Sequence, residues 1–404
     1  MRSGQQGAPP RFAPMSIDPA WRANAPFYLC ALMWNIGLGM TYPLIPLYAD
    51  SLGMSGVTIG ALIALPVVLQ IGFNLVGGAF TDRIGGRLMV LSACLLMSAG
   101  ALAFSRADSF ALLLAAQTVM VLSRAMFWPA TWTIAGNLPG ARSVEIGRLN
   151  AMTNIGQILG TFFAGFSIAL AGYGASFVLL AGVSLAAFAA MLRHAGSRPT
   201  AIPGHFAPLS RYAHLIRMRS MLFVIMCAYI SALPYSLSVS FYPLLFDAYA
   251  YSHELNGTIL ALRGIGATIA GLMIARHLDY SMKGGVAFGS AVAVALAVAL
   301  VGLTDNLYGV GVLLFAVGFG SGLMSLNFQI MLAEISTVEN RGSANALGGA
   351  GWGFSHLTTP MLMGVLRDHV GIESAFVILG AVVLAWAVGL ALLHRWAFGA
   401  PGRA

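Results

Sequence analysis

Twelve long apolar segments constrain the fold of this chain more than any other feature. Each is about 18–28 residues long, whereas a helix needs roughly 20 apolar residues to cross the hydrocarbon core of a bilayer and a barrel strand needs about 9–11. Charged residues make up 8% of the 404 residues, against about 25% in soluble proteins. Because so little charge is left to solvate a surface, the sequence predicts an all-α integral membrane protein with twelve transmembrane helices.

The predicted spans divide six and six around the longest connection. They cover residues 26–49, 56–80, 88–105, 109–136, 149–171, 174–192, 220–246, 255–275, 284–303, 307–333, 343–366 and 374–393. The expected units are an N-terminal tail at 1–25, a six-helix half at 26–192, a central loop at 193–219, a six-helix half at 220–393 and a tail at 394–404. The first apolar run is longer than the about 7–15 residues of a cleavable signal peptide, so we expect it to remain as a span.

The distribution of basic residues predicts the orientation. All but four of the 21 Lys and Arg residues lie in the two tails, the central loop and the loops on the same side. Arg106 and Arg367 lie on the opposite side, and Arg124 and Arg263 lie inside spans. By the positive-inside rule, both termini and the central loop are expected in the cytoplasm, with the chain in a cell membrane, the bacterial inner membrane being the expected one. The basic residues form no single patch, so no nucleic acid partner is expected.

The two halves carry weak internal repetition. A shift of 199 residues superimposes three identical pairs, Arg142/Arg341, Ala151/Ala350 and Gly165/Gly364. A shift of 193 residues places the segment 78–83 over 271–276, with Gly first and Arg last in both copies. Six-span repeats with a substrate site near the midplane between them are a recurrent plan of secondary transporters. The repetition therefore predicts two pseudo-symmetric halves.

A charged, glycine-rich turn joins spans 2 and 3 at residues 78–87, Gly-Ala-Phe-Thr-Asp-Arg-Ile-Gly-Gly-Arg. Gly85 and Gly86 permit backbone conformations closed to other residues. Asp82 can accept hydrogen bonds from a helix N-terminus or pair with a cation. The turn resembles the loop between the second and third helices of the major facilitator superfamily of secondary transporters, with the matching residues Gly78, Asp82, Arg83, Gly85 and Arg87.

This resemblance covers the span count, the central loop and the repeat as well as the turn. It implies a transporter rather than an enzyme, working by alternating access without a cofactor. It also implies that the turn latches the two halves at the cytoplasmic face. Gly86 stands where the family often has a second basic residue, and Ala275 stands in the second half where Asp82 stands in the first. A latch is therefore expected in the first half only.

Two further segments resemble motifs of the drug-exporting branch. Arg124 in span 4 resembles a basic residue that the family links to proton coupling. Gly156 and Gly165 in span 5 match a glycine motif typical of drug–proton antiporters, but Thr161 and Ala164 replace its proline and one glycine. Such a glycine face serves close helix packing whatever the function. The resemblance implies a drug or metabolite antiporter.

The candidate site residues lie inside the spans. All thirteen acidic residues lie in loops or at span ends, so no intramembrane carboxylate is evident to carry a proton. Arg124, Glu334 and His356 are the candidates for proton coupling, His356 because imidazole titrates near physiological pH. The candidates for the substrate pathway are Asn35, Tyr42, Arg124, Trp128, Asn154, Gln157, Tyr235, Arg263, Asn327, Trp352 and His356. Gln157 and His356 coincide under the shift of 199, which predicts that they lie on opposite walls of one site.

The sequence favours proton-coupled export of a small organic solute, such as a drug-like compound or a secreted metabolite of the siderophore type. An organic-anion importer or exchanger that uses the buried arginines is the alternative, and a non-transporting sensor or channel is a remote one. Cys30, Cys94 and Cys227 have no metal or disulfide spacing and are interpreted as buried packing residues. No phosphate-binding loop is present, so the energy must come from a gradient. We expect a monomer that binds its solute, protons and lipid, without a metal.

Overall fold

Helices form the described part of the molecule. The computed structural model describes residues 19–73, 84–139, 141–194, 209–274, 283–337 and 341–398, and these contain no β-strand. The helices are α1 (Pro19–Ser51), α2 (Gly56–Ala64, followed by helical residues 67–73), α3 (Gly86–Phe104), α4 (Phe110–Gly136), α5 (Arg142–Leu192), α6 (Leu209–Arg217), α7 (Arg219–Ser238), α8 (Tyr242–Ala248), α9 (His253–Ile274), α10 (Lys283–Val301), α11 (Leu307–Ile335), α12 (Arg341–Val370) and α13 (Ile372–Phe398). The all-α prediction is confirmed.

Ten of the described segments are long and apolar enough to cross a membrane. One of them, within α5, has 49 residues. As a single straight helix it would be about 75 Å long at 1.5 Å per residue, more than twice the roughly 30 Å hydrocarbon core. The helix is interrupted at Gly172, where φ is 76° and ψ is 178°, a conformation that favours glycine. This break lies between predicted spans 5 and 6. α12 has 30 residues but is not among the ten, so the count of twelve crossings stays a prediction.

Predicted span 7 is wrong as a single helix over 220–246. The chain leaves the helix after Ser238 and begins α8 at Tyr242. Pro243 explains the break, because it lies in the first turn of α8 and a proline there can continue a helix only by clashing with the carbonyl four residues earlier. The segment after the break packs against α1 of the first half.

Three boundaries also differ from the prediction. The central loop contains a helix, α6, which buries Leu215 and carries His214 and Arg217 in its last turn, where cations interact favourably with the helix dipole. α1 begins at Pro19 rather than residue 26, as proline is favoured in a first helical turn. α13 extends to Phe398 rather than residue 393.

Glycines bring helices together within each half. In the first half, a Cβ at Gly160 of α5 would lie 2.0 Å from the Ile36 carbonyl oxygen of α1, well inside the 3.5–4.0 Å of ordinary contact. In the second half, a Cβ at Gly318 of α11 would lie 2.0 Å from the Arg263 carbonyl oxygen of α9. The interpretation of the span 5 glycines as a packing face is confirmed.

The three cysteines are free and buried. Cys30 and Cys94 face each other with their Sγ atoms 4.0 Å apart, too far for the about 2.05 Å of a disulfide. Among the residues that the structure describes, no group of His, Cys, Asp and Glu could hold a metal ion. The cysteines therefore act as small apolar packing residues.

Candidate functional site

A hydrogen-bonded cluster joins the two halves inside the bundle. Tyr42 of α1 and Tyr235 of α7 share a short hydrogen bond between their hydroxyl groups. Both hydroxyl groups also lie 3.2 Å from Oε1 of Gln157 on α5. Gln157 in turn donates to Oδ1 of Asn35 at 2.9 Å. Four of the predicted pathway residues thus form one connected network, and the Tyr42/Tyr235 pair follows the shift of 193 residues.

Charged and aromatic side chains of the second half surround Tyr235. The Arg263 guanidinium carbon lies 5.1 Å from the centre of the Tyr235 ring, within cation–π range. The rings of Trp352 and His356 each lie 5.4 Å from that ring. His356 uses Nδ1 to contact the Trp352 carbonyl oxygen at 2.9 Å, while its Nε2 is buried without a partner among the described atoms. Gln157 and His356 therefore both contact Tyr235, the first at its hydroxyl and the second at its ring.

Helix α4 of the first half carries an arginine and a tryptophan inside the bundle. Arg124 and Trp128 are one turn apart on this helix, so their side chains project on the same face. Trp128 packs edge-on against Trp34 and Phe127, whose rings stack 3.7 Å apart. Arg124 and Arg263 are both near enough to His356 for their positive charges to act on its imidazole. Arg124 thus lies within electrostatic range of His356.

The remaining pathway candidates lie elsewhere. Asn327 is buried within α11. Asn154 of α5 and Glu334 near the end of α11 are exposed. The expectation that Glu334 serves as a buried proton carrier does not fit this exposure, because an exposed carboxylate keeps its solvation. An apolar cavity of about 320 Å³ between α10 and α11 contains none of the candidate residues.

The glycine-rich turn is described in part. Gly78, Asp82 and Arg83 lie outside the described residues. Gly85 has a φ of 91° immediately before α3, which agrees with the expected turn. Arg87 donates to the Leu192 carbonyl oxygen at 2.7 Å, at the end of α5 in the same half. This side-chain hydrogen bond from the described part of the motif therefore stays within the first half.

The end of α5 beside Arg87 also contains a buried histidine. The His194 side chain is 4% exposed and neither ring nitrogen has a partner among the described atoms. Burial, and then the positive charge of Arg87, lower the pKa of the His194 imidazole from its ordinary value. A neutral His194 is therefore favoured next to the arginine of the turn.

The two halves meet closely at one end of the bundle, which we call the sealed end, formed by the segments 50–60, 161–165, 253–257 and 360–368. A Cβ at Gly165 would lie 2.2 Å from the His253 carbonyl oxygen, and a Cβ at Gly364 would lie 2.3 Å from the Gly56 carbonyl oxygen. These distances leave no room for any side chain larger than hydrogen. The pair Gly165/Gly364, which the repeat predicted, therefore makes equivalent contacts.

A second pair of close contacts lies one turn deeper. A Cβ at Gly60 would lie 2.4 Å from the Pro360 carbonyl oxygen, and a Cβ at Gly257 would lie 2.7 Å from the Thr161 carbonyl oxygen. Thr161 and Pro360 are 199 residues apart, and Gly60 and Gly257 are 197 residues apart. Contacts of α2 with α12 and of α5 with α9 thus repeat around one pseudo-twofold axis.

Polar contacts reinforce only one of these crossings among the described residues. Arg367 of α12 donates to Asp50 of α1 at 2.5 Å. The Asp368 carboxylate accepts from the backbone N–H groups of Gly56 at 2.7 Å and Val57 at 2.9 Å. A carboxylate at a helix N-terminus stabilises the unpaired N–H groups of the first turn. An acid of the second half therefore caps a helix of the first half.

One buried acid was missed by the sequence reasoning. Glu145 lies at a span end, yet it is 2% exposed. Its carboxylate accepts a short hydrogen bond from the Tyr28 hydroxyl and pairs with Arg148 at 2.7 Å. The Glu145 and Arg148 spacing of i, i+3 on a helix was the available signal. The burial itself depends on α1, which is distant in sequence.

Known proteins provide the remaining evidence. A family model of the Major Facilitator Superfamily matches residues 27–332 and 312–401. The chain belongs to the Major Facilitator Superfamily. Solved transporters share its fold: the nucleoside transporter NupG has a TM-score of 0.78 at 14% identity, covering 92% of this chain and 99% of its own. A POT family transporter in complex with 5-aminolevulinic acid has a TM-score of 0.77 at 11% identity, covering 93% of this chain and 97% of its own.

Two relatives of this superfamily member are named for resistance to drugs. Quinolone resistance protein NorA of Staphylococcus aureus is 29% identical over 133 residues, which are 32% of this chain and 34% of NorA. Multidrug resistance protein MdtH of Edwardsiella ictaluri is 28% identical over 181 residues, 44% of each chain. The matched part thus spans less than half the length of either relative. The human organic anion transporter MFSD10 shares the fold, with a TM-score of 0.62 at 17% identity, covering 92% of this chain and 99% of its own.

Proposed function

We propose that this transporter exports a small organic solute across the cell membrane in exchange for protons. The single observation that carries the proposal is the network of Tyr42, Tyr235 and Gln157, which joins the two halves inside the bundle. Buried polar groups between the repeats of a secondary transporter are where substrate binds. The names of NorA and MdtH favour export of drug-like compounds over uptake of nutrients.

Alternating access would require the two halves to separate at the sealed end. The glycine contacts of α2 with α12 and of α5 with α9 would open together, because the pseudo-twofold axis relates them and one tilt of one half against the other separates both. The Asp50–Arg367 ion pair and the Asp368 cap would break in the same movement. The turn at 78–87 would then close the opposite end, which is the cytoplasmic one if both termini are cytoplasmic.

His356 is the proposed proton carrier. It is 5% exposed, its Nε2 has no partner among the described atoms, and it lies beside the Tyr235 ring. An imidazole can gain and lose a proton within the physiological range. Arg263 packs against the same Tyr235 ring as His356, so substrate and proton binding at this site would influence one another.

Everted membrane vesicles with an imposed pH gradient test direction and coupling together. We expect solute accumulation inside the vesicles when the interior is acidic, and none when the gradient is collapsed. His356→Gln should abolish this dependence on the gradient while solute binding is retained. His369→Gln is the matched control, because His369 lies on the same helix and contacts the Val365 carbonyl oxygen in the same way but is exposed. Uptake that ignores the gradient would refute proton coupling.

A further inference from the structure

Two arginines inside the bundle have no anionic partner in the part of the chain that the structure describes. Arg263 of α9 is 7% exposed, and its Nε has no hydrogen bond. The Nε of Arg124 on α4 is also buried without one. No described carboxylate lies within 4.0 Å of either guanidinium, whereas Arg148 and Arg367 near helix ends are both paired.

An arginine cannot avoid the cost of a buried, unpaired charge by losing its proton, because its guanidinium stays charged in proteins. A charged side chain at the centre of a bilayer costs about 2.5–3.5 kcal/mol on insertion scales. The chain offers no acid of its own at this depth, since all thirteen lie in loops or at span ends. A mobile anion that enters the site would neutralise charges that the protein leaves unpaired.

The two arginines come from opposite halves, and both lie near one histidine. Both act electrostatically on His356, and Arg263 lies over the Tyr235 ring. An anion at Arg263 would therefore lie where both halves contribute positive charge. A ligand between the halves is well placed to be carried when they rotate.

The surroundings of the arginines are aromatic rather than aliphatic. Trp352 and His356 stack with their ring centres 5.7 Å apart and their planes 18° from parallel. Tyr235 packs against both, and Trp128 lies one turn from Arg124 on α4. Aromatic faces bind flat rings through stacked or edge-to-face contacts. The walls of the site thus favour a planar apolar group.

We infer that this site binds an aromatic carboxylate, with the carboxylate at the Arg263 guanidinium and the ring against Trp352 and Tyr235. Arginine can form two parallel hydrogen bonds to a carboxylate, which lysine cannot reproduce. The inference rests on the proposed function, because it assigns a substrate class to the same site. It holds for either direction of transport.

Three probes of equal size and different charge test the inference on the purified full-length protein in detergent. They are 2-naphthoate, the neutral 2-naphthamide and the cationic 2-naphthylmethylammonium, each titrated by calorimetry. We expect 2-naphthoate to bind at least about tenfold more tightly than the amide, which corresponds to about 1.4 kcal/mol, and the cation to bind most weakly. Equal binding of anion and amide, tighter binding of the cation, or no binding of any probe would overturn the inference.

Substitutions locate the binding. Arg263→Ala should weaken 2-naphthoate binding at least about tenfold and leave amide binding unchanged, and Arg263→Lys should recover part of the loss because it restores charge without the fork. Arg106→Ala is the control, since Arg106 is an exposed arginine outside the helices. Full affinity in Arg263→Ala contradicts the assignment. If Arg263→Ala does not fold, the comparison of wild type with Arg263→Lys and the charge series in wild type still decide.

Vesicle transport separates this inference from the proposed function. Gradient-driven transport of neutral or cationic solutes without binding of 2-naphthoate would contradict the anion assignment but agree with proton-coupled export. Tight binding of 2-naphthoate without any effect of the pH gradient on its transport would support the anion assignment and contradict proton-coupled export.

Discussion

Gly165 and Gly364 make the same contact in opposite halves of the molecule. Each lets its helix approach a backbone carbonyl of the other half, at His253 and Gly56 respectively, to within a distance that excludes a Cβ atom. The two residues are 199 positions apart, and the helices that they contact begin 197 positions apart. Both crossings therefore carry the pseudo-symmetry of the fold and close the sealed end together.

Alanine at either glycine should push the halves apart at the sealed end. We expect Gly165→Ala and Gly364→Ala each to destabilise the sealed conformation by about 1–3 kcal/mol, as overpacking typically does. Thermal unfolding and export rates measure the effect. Gly182→Ala is the control, because a Cβ at Gly182 on α5 meets nothing within 4 Å. A large effect at one glycine and none at the other would contradict their equivalence.

Removing the charge of Asp368 should favour opening of the sealed end. In Asp368→Asn the first turn of α2 loses an anionic cap, a contribution of about 0.3–1 kcal/mol, so the open fraction should rise about two- to fivefold. Spin labels at Leu52→Cys and Leu303→Cys, both exposed positions in opposite halves, report the distance. The native cysteines are buried and should label poorly. Asp108→Asn, an exposed acid elsewhere, should leave the distance distribution unchanged.

The shared hydrogen bond of Tyr42 and Tyr235 predicts coupling between their substitutions. Tyr42→Phe and Tyr235→Phe should each lower stability by about 0.5–1.5 kcal/mol, the usual net effect of one hydrogen bond. The double variant should lose less than the sum, since both hydroxyl groups serve the same network. Tyr308→Phe is the control, because Tyr308 is 82% exposed. Strict additivity in chemical denaturation would show that the two hydroxyl groups act independently.

Asp82→Asn tests the latch expected of the glycine-rich turn. The substitution removes the charge that would bind the other half, so export should slow while solute affinity measured in detergent is largely retained. Asp108→Asn again provides an exposed acid as control. Normal turnover in Asp82→Asn would rule out a latch at this residue.

Some helix breaks and turns could be predicted from the sequence, because the residues that cause them are local. The Gly172 break lies between two predicted spans, and Gly85 adopts the turn conformation expected from its neighbours. The separation of α7 from α8 was missed, although Pro243 was visible, because the apolar run continues across it. Hydropathy reports whether a segment enters the membrane and says little about where its helix is broken.

Other features depended on helices that are distant in sequence. Glu145 has the position of an ordinary helix-end acid, and its burial follows from the packing of Tyr28 in α1 against it. Arg87 belongs to the turn that was expected to latch the two halves. Its side-chain hydrogen bond nevertheless reaches Leu192 in its own half. Neither partner could be chosen from spacing along the chain.

The sequence by itself determined the membrane class and the helical character of the long apolar segments, because length and apolarity are properties of each segment alone. Only the tertiary structure decided that Tyr42 and Tyr235 meet, that Arg263 lies over the Tyr235 ring, and that Asp368 caps α2. Those contacts depend on the rotation and tilt of each helix against its neighbours. Packing between helices sets these angles, and hydropathy does not encode them.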